Sequence, residues 1–135
     1  MATVKYSRQR EAIKNCLMGR TDHPTADTIY QTIRETFPNI SLGTVYRNLT
    51  FLAENGEILR ISCGEHSERF DGNTSPHHHC ICSRCGRVDD IFGLNDQIID
   101  ELAGIRYSGR ILGHQTYFYG LCAECAEYEE NEKSC

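Results

Sequence analysis

The sequence predicts an α+β protein with a helical first half and a smaller mixed second half. Apolar residues recur at helical spacing in three stretches of the first half, whereas later segments alternate like strands. A chain of 135 residues is long enough for one ordinary domain or two small ones. Its 39% hydrophobic and 24% charged residues indicate a globular protein. We expect a first domain over residues 1–72, a hinge over 73–76 and a second domain over 77–135.

Three helices are predicted in the first domain. The first runs from Ser7 to about Gly19, where glycine stops it. The second follows Thr25, whose hydroxyl can cap a helix, and ends before Pro38. The third follows another capping hydroxyl, on Ser41, and runs to the Asn-Gly pair at 55–56. Its apolar positions form a stripe that should be buried, consisting of Leu42, Val45, Leu49 and Leu52.

A hairpin of two strands, over residues 57–62 and 68–71, is predicted after the third helix. Three helices followed by a hairpin form the winged-helix arrangement. The second domain is predicted to contain strands at 77–82 and 87–92, a helix at 94–103, an extended segment at 114–121 and a frayed acidic tail from 124. This small α/β unit has an open sheet edge, which favours pairing with a second copy.

Charge and the third helix together predict DNA binding by the first domain. Residues 1–60 hold eight Lys/Arg against six Asp/Glu, whereas residues 61–135 hold six against thirteen, so only the front half suits a polyanion. In a helix-turn-helix, the N-terminal part of the second helix enters the major groove. The candidate contacts to double-stranded DNA are Thr44, Tyr46, Arg47 and Asn48. The alternative is an ordinary solvated helix face. Because one copy neutralises few phosphates, we expect a homodimer on a palindromic operator.

Neither a membrane span nor a secretion signal is predicted. No stretch approaches the ~20 apolar residues that a span requires. The first seven residues lack the apolar core of a signal peptide. We therefore expect a cytoplasmic protein with no membrane partner, in which cysteines serve as metal ligands or spare thiols before they form disulfides.

Two CxxC pairs in the second half predict a closed metal site. Each pair forms a tight turn that brings two thiolates to one ion, and four thiolates complete a tetrahedral zinc site. The ligands of this structural Zn²⁺ are Cys82, Cys85, Cys122 and Cys125. Two disulfides or an iron–sulfur cluster remain alternatives. The spare thiols are Cys16, Cys63, Cys80 and Cys135.

A second metal site of another kind is predicted from the histidines beside the first CxxC. Strand alternation places His77 and His79 on one face and His78 on the other. Carboxylate partners are Asp71, before the hinge, and Asp90, on the next strand. Nitrogen and oxygen donors of this type suit Fe²⁺ or Mn²⁺. His23, before the second helix, is a further candidate, although a single histidine there is more often a capping or surface residue.

Residues 23–56 resemble the DNA-binding domain of the ferric uptake regulator superfamily, and residues 77–90 with 119–125 resemble its metal-binding and dimerisation domain. The resemblance is best for the peroxide-sensing branch, because an aspartate stands at residue 71 where iron sensors usually have glutamate. It implies a regulatory ion held by His23, Asp71, His77, His79 and Asp90. It also implies that this ion clamps the two domains for DNA binding, and that peroxide reduced at bound iron oxidises His23 or His77.

A further metal site of the iron-sensing branch is expected to be absent or degraded. Pro76, His78 and Gln97 stand at its positions, even though His114 is available. The alternatives within the family are an iron-responsive or a zinc-responsive uptake repressor. Outside it, the alternatives are a non-haem iron enzyme, using two histidines and a carboxylate, and a thiol-based redox switch. We expect a regulator and not an enzyme.

Overall fold

The computed structural model describes residues 4–64 and 66–133. The chain divides into two compact units, Met1–Ser75 and Pro76–Cys135. Each unit combines helices with a small sheet, so the predicted α+β class is confirmed. The predicted hinge over 73–76 stays a prediction. In the part of the chain that is described, no helix has both the length and the apolar character needed to cross a membrane.

Three helices and a hairpin form the first unit, in the predicted winged-helix order. The helices are α1 (Val4–Leu17), α2 (Ala26–Ile33) and α3 (Leu42–Glu54), and the strands are β1 (Leu59–Ile61) and β2 (Arg69–Asp71). Two hydroxyls cap the helices as predicted, since Thr25 accepts from the amide of Thr28 and Ser41 from that of Thr44. The strands pair antiparallel, with Ile61 opposite Arg69. Both strands are shorter than predicted, and α2 ends at Ile33, several residues before Pro38.

A continuous apolar core holds the first unit together. It buries one face of each helix against the hairpin. Its members are Ile13, Leu17, Ala26, Ile29, Ile33, Ile40, Val45, Leu49, Leu52, Ile58 and Phe70. Leu42, the first member of the predicted stripe, is only half-buried because it lies in the first turn of α3. The core fixes how α3 is rotated and where β2 ends.

The second unit is a three-stranded sheet with two helices. Its elements are β3 (His78–Cys82), β4 (Val88–Ile91), α4 (Asp96–Gly104), β5 (Phe118–Gly120) and α5 (Ala123–Lys133). The strand order is β4-β3-β5, with β3 antiparallel to β4 and parallel to β5. The prediction of a frayed tail from residue 124 was wrong as far as residue 133, because residues 124–133 belong to α5. Cys135 lies outside the described residues.

The second unit has little apolar core of its own. Among the described residues, its buried apolar side chains are Ile81 and Val88, together with the thiols of Cys82 and Cys122. Helix α4 buries none of its side chains. Large apolar side chains remain exposed instead, namely Phe92, Leu94, Ile98, Leu102, Ile105, Tyr107, Leu112 and Tyr119. We call this set the apolar patch.

Candidate metal centres and nucleic-acid interface

The four predicted zinc ligands converge in the second unit and are here called the thiol cluster. Cys82 is the last residue of β3 and Cys85 lies in the turn after it, whereas Cys122 immediately precedes α5 and Cys125 lies in its first turn. Their sulfur atoms all lie within 4.8 Å of one another, and the sulfurs of Cys85 and Cys122 are 3.8 Å apart. With Zn–S bonds of about 2.3 Å, a zinc tetrahedron places its sulfurs about 3.8 Å apart. The separation is too long for a disulfide, so the cluster fits a tetrahedral ion.

Hydrogen bonds from backbone amides favour the thiolate form of Cys82, which is the form that binds metal. Burial opposes ionisation of Cys82, but amide donors from Cys122, Cys85 and Arg84 outweigh it and lower the pKa of this thiol to about 6. Burial and the neighbouring thiols raise the pKa of Cys125 to about 12. Four thiols this close cannot all ionise without a cation between them. A divalent ion supplies that charge.

His23 and Asp71 form a buried donor pair in the first unit, here called the N-terminal half-site. His23 lies just before α2 and Asp71 is the last residue of β2. The Nε2 atom of His23 lies 3.3 Å from Oδ2 of Asp71, and the two side chains are 0% and 2% exposed. The other oxygen of Asp71 accepts a hydrogen bond from the amide of Asn73. The capping or surface role considered for His23 does not fit such burial.

Close packing fixes the end of β2 that carries Asp71. A side chain on the next residue, Gly72, would meet the main-chain oxygen of Leu17 at 2.7 Å. Only glycine lets β2 end this close to the last turn of α1. The backbone that carries the Asp71 carboxylate is therefore held in a fixed position.

Two histidines and an aspartate form the C-terminal half-site in the second unit. In the register of β3 and β4, His79 lies directly opposite Asp90. Because alternate residues share a face, His77 lies on the same side. Oδ1 of Asp90 is 3.1 Å from Nε2 of His77 and 3.3 Å from Nε2 of His79. Phe92 stacks on the ring of His77 at 5.5 Å and limits its rotation.

Both half-sites have dimensions that suit a bound cation. Adjacent donors about 2.1 Å from one ion are separated by roughly 3.0–3.4 Å in octahedral or tetrahedral geometry. The nitrogen–oxygen distances in the half-sites are 3.1–3.3 Å. The donors are imidazole nitrogens and carboxylate oxygens, without sulfur, so they differ chemically from the thiol cluster.

A further group of donors, the His–Asp cluster, lies on the opposite face of β3. It consists of His78, Asp96, Asp100 and His114. Oδ1 of Asp96 is 2.8 Å from Nε2 of His78 and 3.1 Å from Nε2 of His114, yet this buried atom has no partner in hydrogen-bond geometry among the described residues. A hydrogen bond to Asp100 at 2.6 Å is the main reason why the pKa of His114 is raised. Short contacts without hydrogen-bond geometry are typical of ligands arranged around a common ion.

Gln97 was placed at the acidic position of the further metal site, whereas the donor that lies in this cluster is its neighbour Asp96. Donors therefore converge here, although the site was expected to be absent or degraded; binding of an ion by them stays a prediction. Asn95 caps α4, and Asp96 and Asp100 are four residues apart, on one face of the helix. The spacing of these two aspartates, together with the position of His78 on the face of β3 opposite to His77, is the sequence pattern that indicates the His–Asp cluster.

The predicted DNA contacts occupy different environments on α3. Tyr46 is 41% exposed, Arg47 is exposed and Thr44 is half-buried. The guanidinium of Arg47 donates to Oγ1 of Thr44 at 3.0 Å. These three side chains are therefore accessible to a ligand at the N-terminal part of α3.

Asn48, a predicted DNA contact expected to face outward or sideways, is buried. This residue is only 5% exposed, because it lies on the same side of α3 as the core residues Val45 and Leu52. Its Oδ1 accepts from Nε of Arg10 at 3.0 Å, and its Nδ2 donates to the carbonyl of Thr44 at 3.0 Å. Asn48 thus links α1 to α3, and its amide is not available to a base.

Comparison with known proteins agrees with these features. Residues 1–119 match the Ferric uptake regulator family. The Peroxide-responsive repressor PerR of Staphylococcus epidermidis is 38% identical over 126 residues, which cover 93% of this chain and 84% of that protein. The Peroxide operon regulator of Bacillus subtilis is 38% identical over 130 residues, covering 95% and 88%. The solved peroxide stress regulator of Campylobacter jejuni has a TM-score of 0.73 at 26% identity, covering 90% of this chain and 92% of that chain. The chain belongs to the ferric uptake regulator family.

Proposed function

We propose that this chain is a metal-dependent transcriptional repressor that senses hydrogen peroxide and controls oxidative-stress genes. Family membership supports a regulator, and the relatives named above are peroxide-responsive repressors or regulators. The observation that carries the proposal is the set of buried nitrogen and oxygen donors kept separate from the thiol cluster. A regulator of this kind acts in the cytoplasm on DNA and is not an enzyme.

The two classes of donor imply two ions with different roles. The thiol cluster would hold Zn²⁺ permanently and stabilise the second unit. The regulatory ion, Fe²⁺ or Mn²⁺, would be bound by His23, Asp71, His77, His79 and Asp90. Imidazole and carboxylate donors suit these ions, although zinc and copper compete by intrinsic affinity.

Binding of one ion by both half-sites would couple the metal to DNA. His23 and Asp71 belong to the unit that carries α3, whereas His77, His79 and Asp90 belong to the other unit. An ion that requires all five donors favours the conformation that brings them together. If the operator selects the same conformation, metal and DNA strengthen each other's binding by the same factor.

Peroxide would release repression through the ligands themselves. Bound Fe²⁺ would promote the transfer of one oxygen atom from hydrogen peroxide to a ligand imidazole, which supplies the two electrons, while the other peroxide oxygen leaves as water. Mn²⁺ would support DNA binding without sensing. The proposed targets are the imidazoles of His23 and His77. An imidazole that has gained an oxygen atom is a poorer nitrogen donor, so the half-sites would separate and the operator would be released.

DNA recognition is assigned to Thr44, Tyr46 and Arg47, without Asn48. Arg47 would read guanine or a phosphate, and the other two would contact thymine methyl groups or phosphates. A homodimer on a palindromic operator is proposed because the second unit exposes the apolar patch, which a second copy would cover. Strand β5 also lies at an edge of the sheet and can pair further.

The decisive experiment joins metal analysis to operator binding. Zinc-loaded protein is titrated onto operator DNA with Fe²⁺ or Mn²⁺, with and without hydrogen peroxide. Its peptides are then analysed by mass spectrometry. We expect binding with either ion, loss on peroxide treatment with Fe²⁺ only, and the added mass of one oxygen on peptides that contain His23 or His77. Pairing of cysteines instead would indicate a thiol switch.

Two alternatives are separated by variants. An iron-responsive or zinc-responsive uptake repressor would bind DNA with its metal but would not respond to peroxide. Asp71→Glu tests whether the aspartate is what permits sensing, since the variant should still bind metal and lose its peroxide response.

The His–Asp cluster is proposed to bind a further divalent cation. His114→Ala should remove one bound equivalent of this cation, while binding of the regulatory metal stays intact.

A further inference from the structure

His23 has a backbone conformation that other parts of the chain must maintain. Its φ angle is +48°, and it is the only residue other than glycine with positive φ among those described. Such a conformation is unfavourable for a residue other than glycine and persists only where the surroundings impose it. The side chain is also fully buried beside Asp71. The position of the His23 imidazole therefore depends on what holds the loop before α2.

Arg69 contacts this loop from β2, in addition to Arg20, whose guanidinium pairs with the side chain of Asp22 at 2.7 Å. The Nη1 atom of Arg69 donates to the carbonyl oxygen of His23 at 3.0 Å and lies 3.5 Å from the carbonyl oxygen of Asp22. The main chain adds to this contact, since the amide of Phe70 donates to the carbonyl of Pro24 at 3.0 Å. These bonds join segments that are 46 residues apart in the chain.

The same arginine belongs to the strand that presents the second donor. Arg69 begins β2 and Asp71 ends it, so the two side chains lie on the same face of the strand. One guanidinium thus connects the strand that carries the carboxylate to the loop that carries the imidazole. Its Nε is buried without an acceptor among the described residues, which is unfavourable. An arginine that served only to stabilise the hairpin would gain more from an exposed position.

We propose that Arg69 is a positioning residue for the regulatory metal. By holding the carbonyl groups of Asp22 and His23, it keeps the imidazole of His23 beside the carboxylate of Asp71 before any ion arrives. This inference rests on the proposed function, because it requires the N-terminal half-site to bind metal. Residues that orient a ligand typically change metal affinity by about 10–100-fold when they are removed.

The test measures Mn²⁺ affinity of zinc-loaded, full-length variants by calorimetry. Arg69→Met and Arg69→Gln both remove the bond to the His23 carbonyl, so that one informative variant remains if the other does not fold. Each should bind Mn²⁺ about tenfold more weakly. Arg69→Lys keeps a cationic donor and should recover part of the loss. Pulsed paramagnetic resonance at saturating Mn²⁺ should count one imidazole nitrogen fewer in the Met or Gln variant, a signature that a general loss of stability would not produce.

Arg60→Met is the matched control from the neighbouring strand. Arg60 donates to Thr50 at 2.7 Å and pairs with Glu68 at 3.4 Å, so its removal disturbs the hairpin without touching the His23 loop. It should leave Mn²⁺ affinity unchanged.

Three results would overturn the inference. The first is a change in Mn²⁺ affinity of less than about twofold in the folded Met and Gln variants of Arg69. The others are an equal loss of Mn²⁺ affinity in Arg60→Met and an Arg69→Lys variant that binds Mn²⁺ no better than the Met and Gln variants. His23→Ala separates this failure from that of the proposed function. If His23→Ala weakens Mn²⁺ binding and the Arg69 variants do not, only the role of Arg69 is lost. If His23→Ala has no effect, the N-terminal half-site and the role of Arg69 fall together.

Discussion

Replacing Cys122 by serine should unfold the second unit while the first unit stays folded. Cys122 is 7% exposed and its sulfur lies 3.8 Å from that of Cys85, so it is an integral member of the thiol cluster. Serine has nearly the same shape but does not supply the fourth thiolate. The variant therefore removes the metal with little direct change in packing.

The magnitude follows from how unevenly the two units are packed. A buried Ile or Val contributes about 1.5–3 kcal/mol, and among the described apolar side chains of the second unit only Ile81 and Val88 are buried in addition to its thiols. A structural zinc contributes about 10–16 kcal/mol of apparent free energy. A zinc ion in the thiol cluster would thus be the largest single contribution to this unit. The core cluster of the first unit has eleven buried apolar side chains and includes none of the four thiols.

Hydrogen exchange read by mass spectrometry distinguishes the two units within one molecule. In Cys122→Ser, amides of β3 and β4 should lose protection, whereas those of α3 should keep it. Helical circular dichroism should fall by roughly a third, the share of helical residues contributed by α4 and α5. Cys80→Ser, in β3 but outside the thiol cluster, is the control and should retain zinc. A zinc-free Cys122→Ser protein with β3 and β4 still protected would refute this reasoning.

Three further predictions follow from burial and protonation. Asn48→Ala should destabilise the first unit by about 1–3 kcal/mol in thermal unfolding, because it leaves the part-buried Nε of Arg10 without its acceptor; altered operator specificity at unchanged stability would instead restore Asn48 as a base reader. Leu102→Glu should convert the proposed dimer to monomer in sedimentation without altering the monomer's stability, since Leu102 is 63% exposed; a persisting dimer would place the interface elsewhere. Zinc affinity should fall at least about tenfold per pH unit of acidification, because zinc must displace the proton of Cys125, whose pKa is raised to about 12; chelator competition at several pH values measures this, and a flat profile would contradict it.

Separate chemistry for the two kinds of metal site has a functional consequence. Thiolates would hold an ion firmly and have no role in the proposed response, while imidazole and carboxylate donors would permit exchange with the cell's supply of Fe²⁺ and Mn²⁺. The half-sites are fixed by different means. Register between β3 and β4 places Asp90, whereas loop conformation and a tight glycine contact place His23 and Asp71.

Some features could be predicted because they depend on few neighbouring residues. The caps at Thr25 and Ser41 are local, since each hydroxyl accepts from an amide three residues later. Strand alternation is equally local and predicts that His77 and His79 share a face. Helix α5 was missed because its sequence is acidic and lacks an apolar stripe, so nothing in its pattern distinguishes it from a disordered tail.

By itself, the sequence determined the α+β class, the winged-helix order, the family and the chemical types of the donors, because these depend on spacing and residue type. Tertiary structure decided which donors meet. Helix rotation about the core turned Asn48 inward, and the position of α4 brought Asp96 to His78 and His114. Pairing of strands and packing of helices are set by contacts between distant segments, and these contacts leave no periodic signal along the chain.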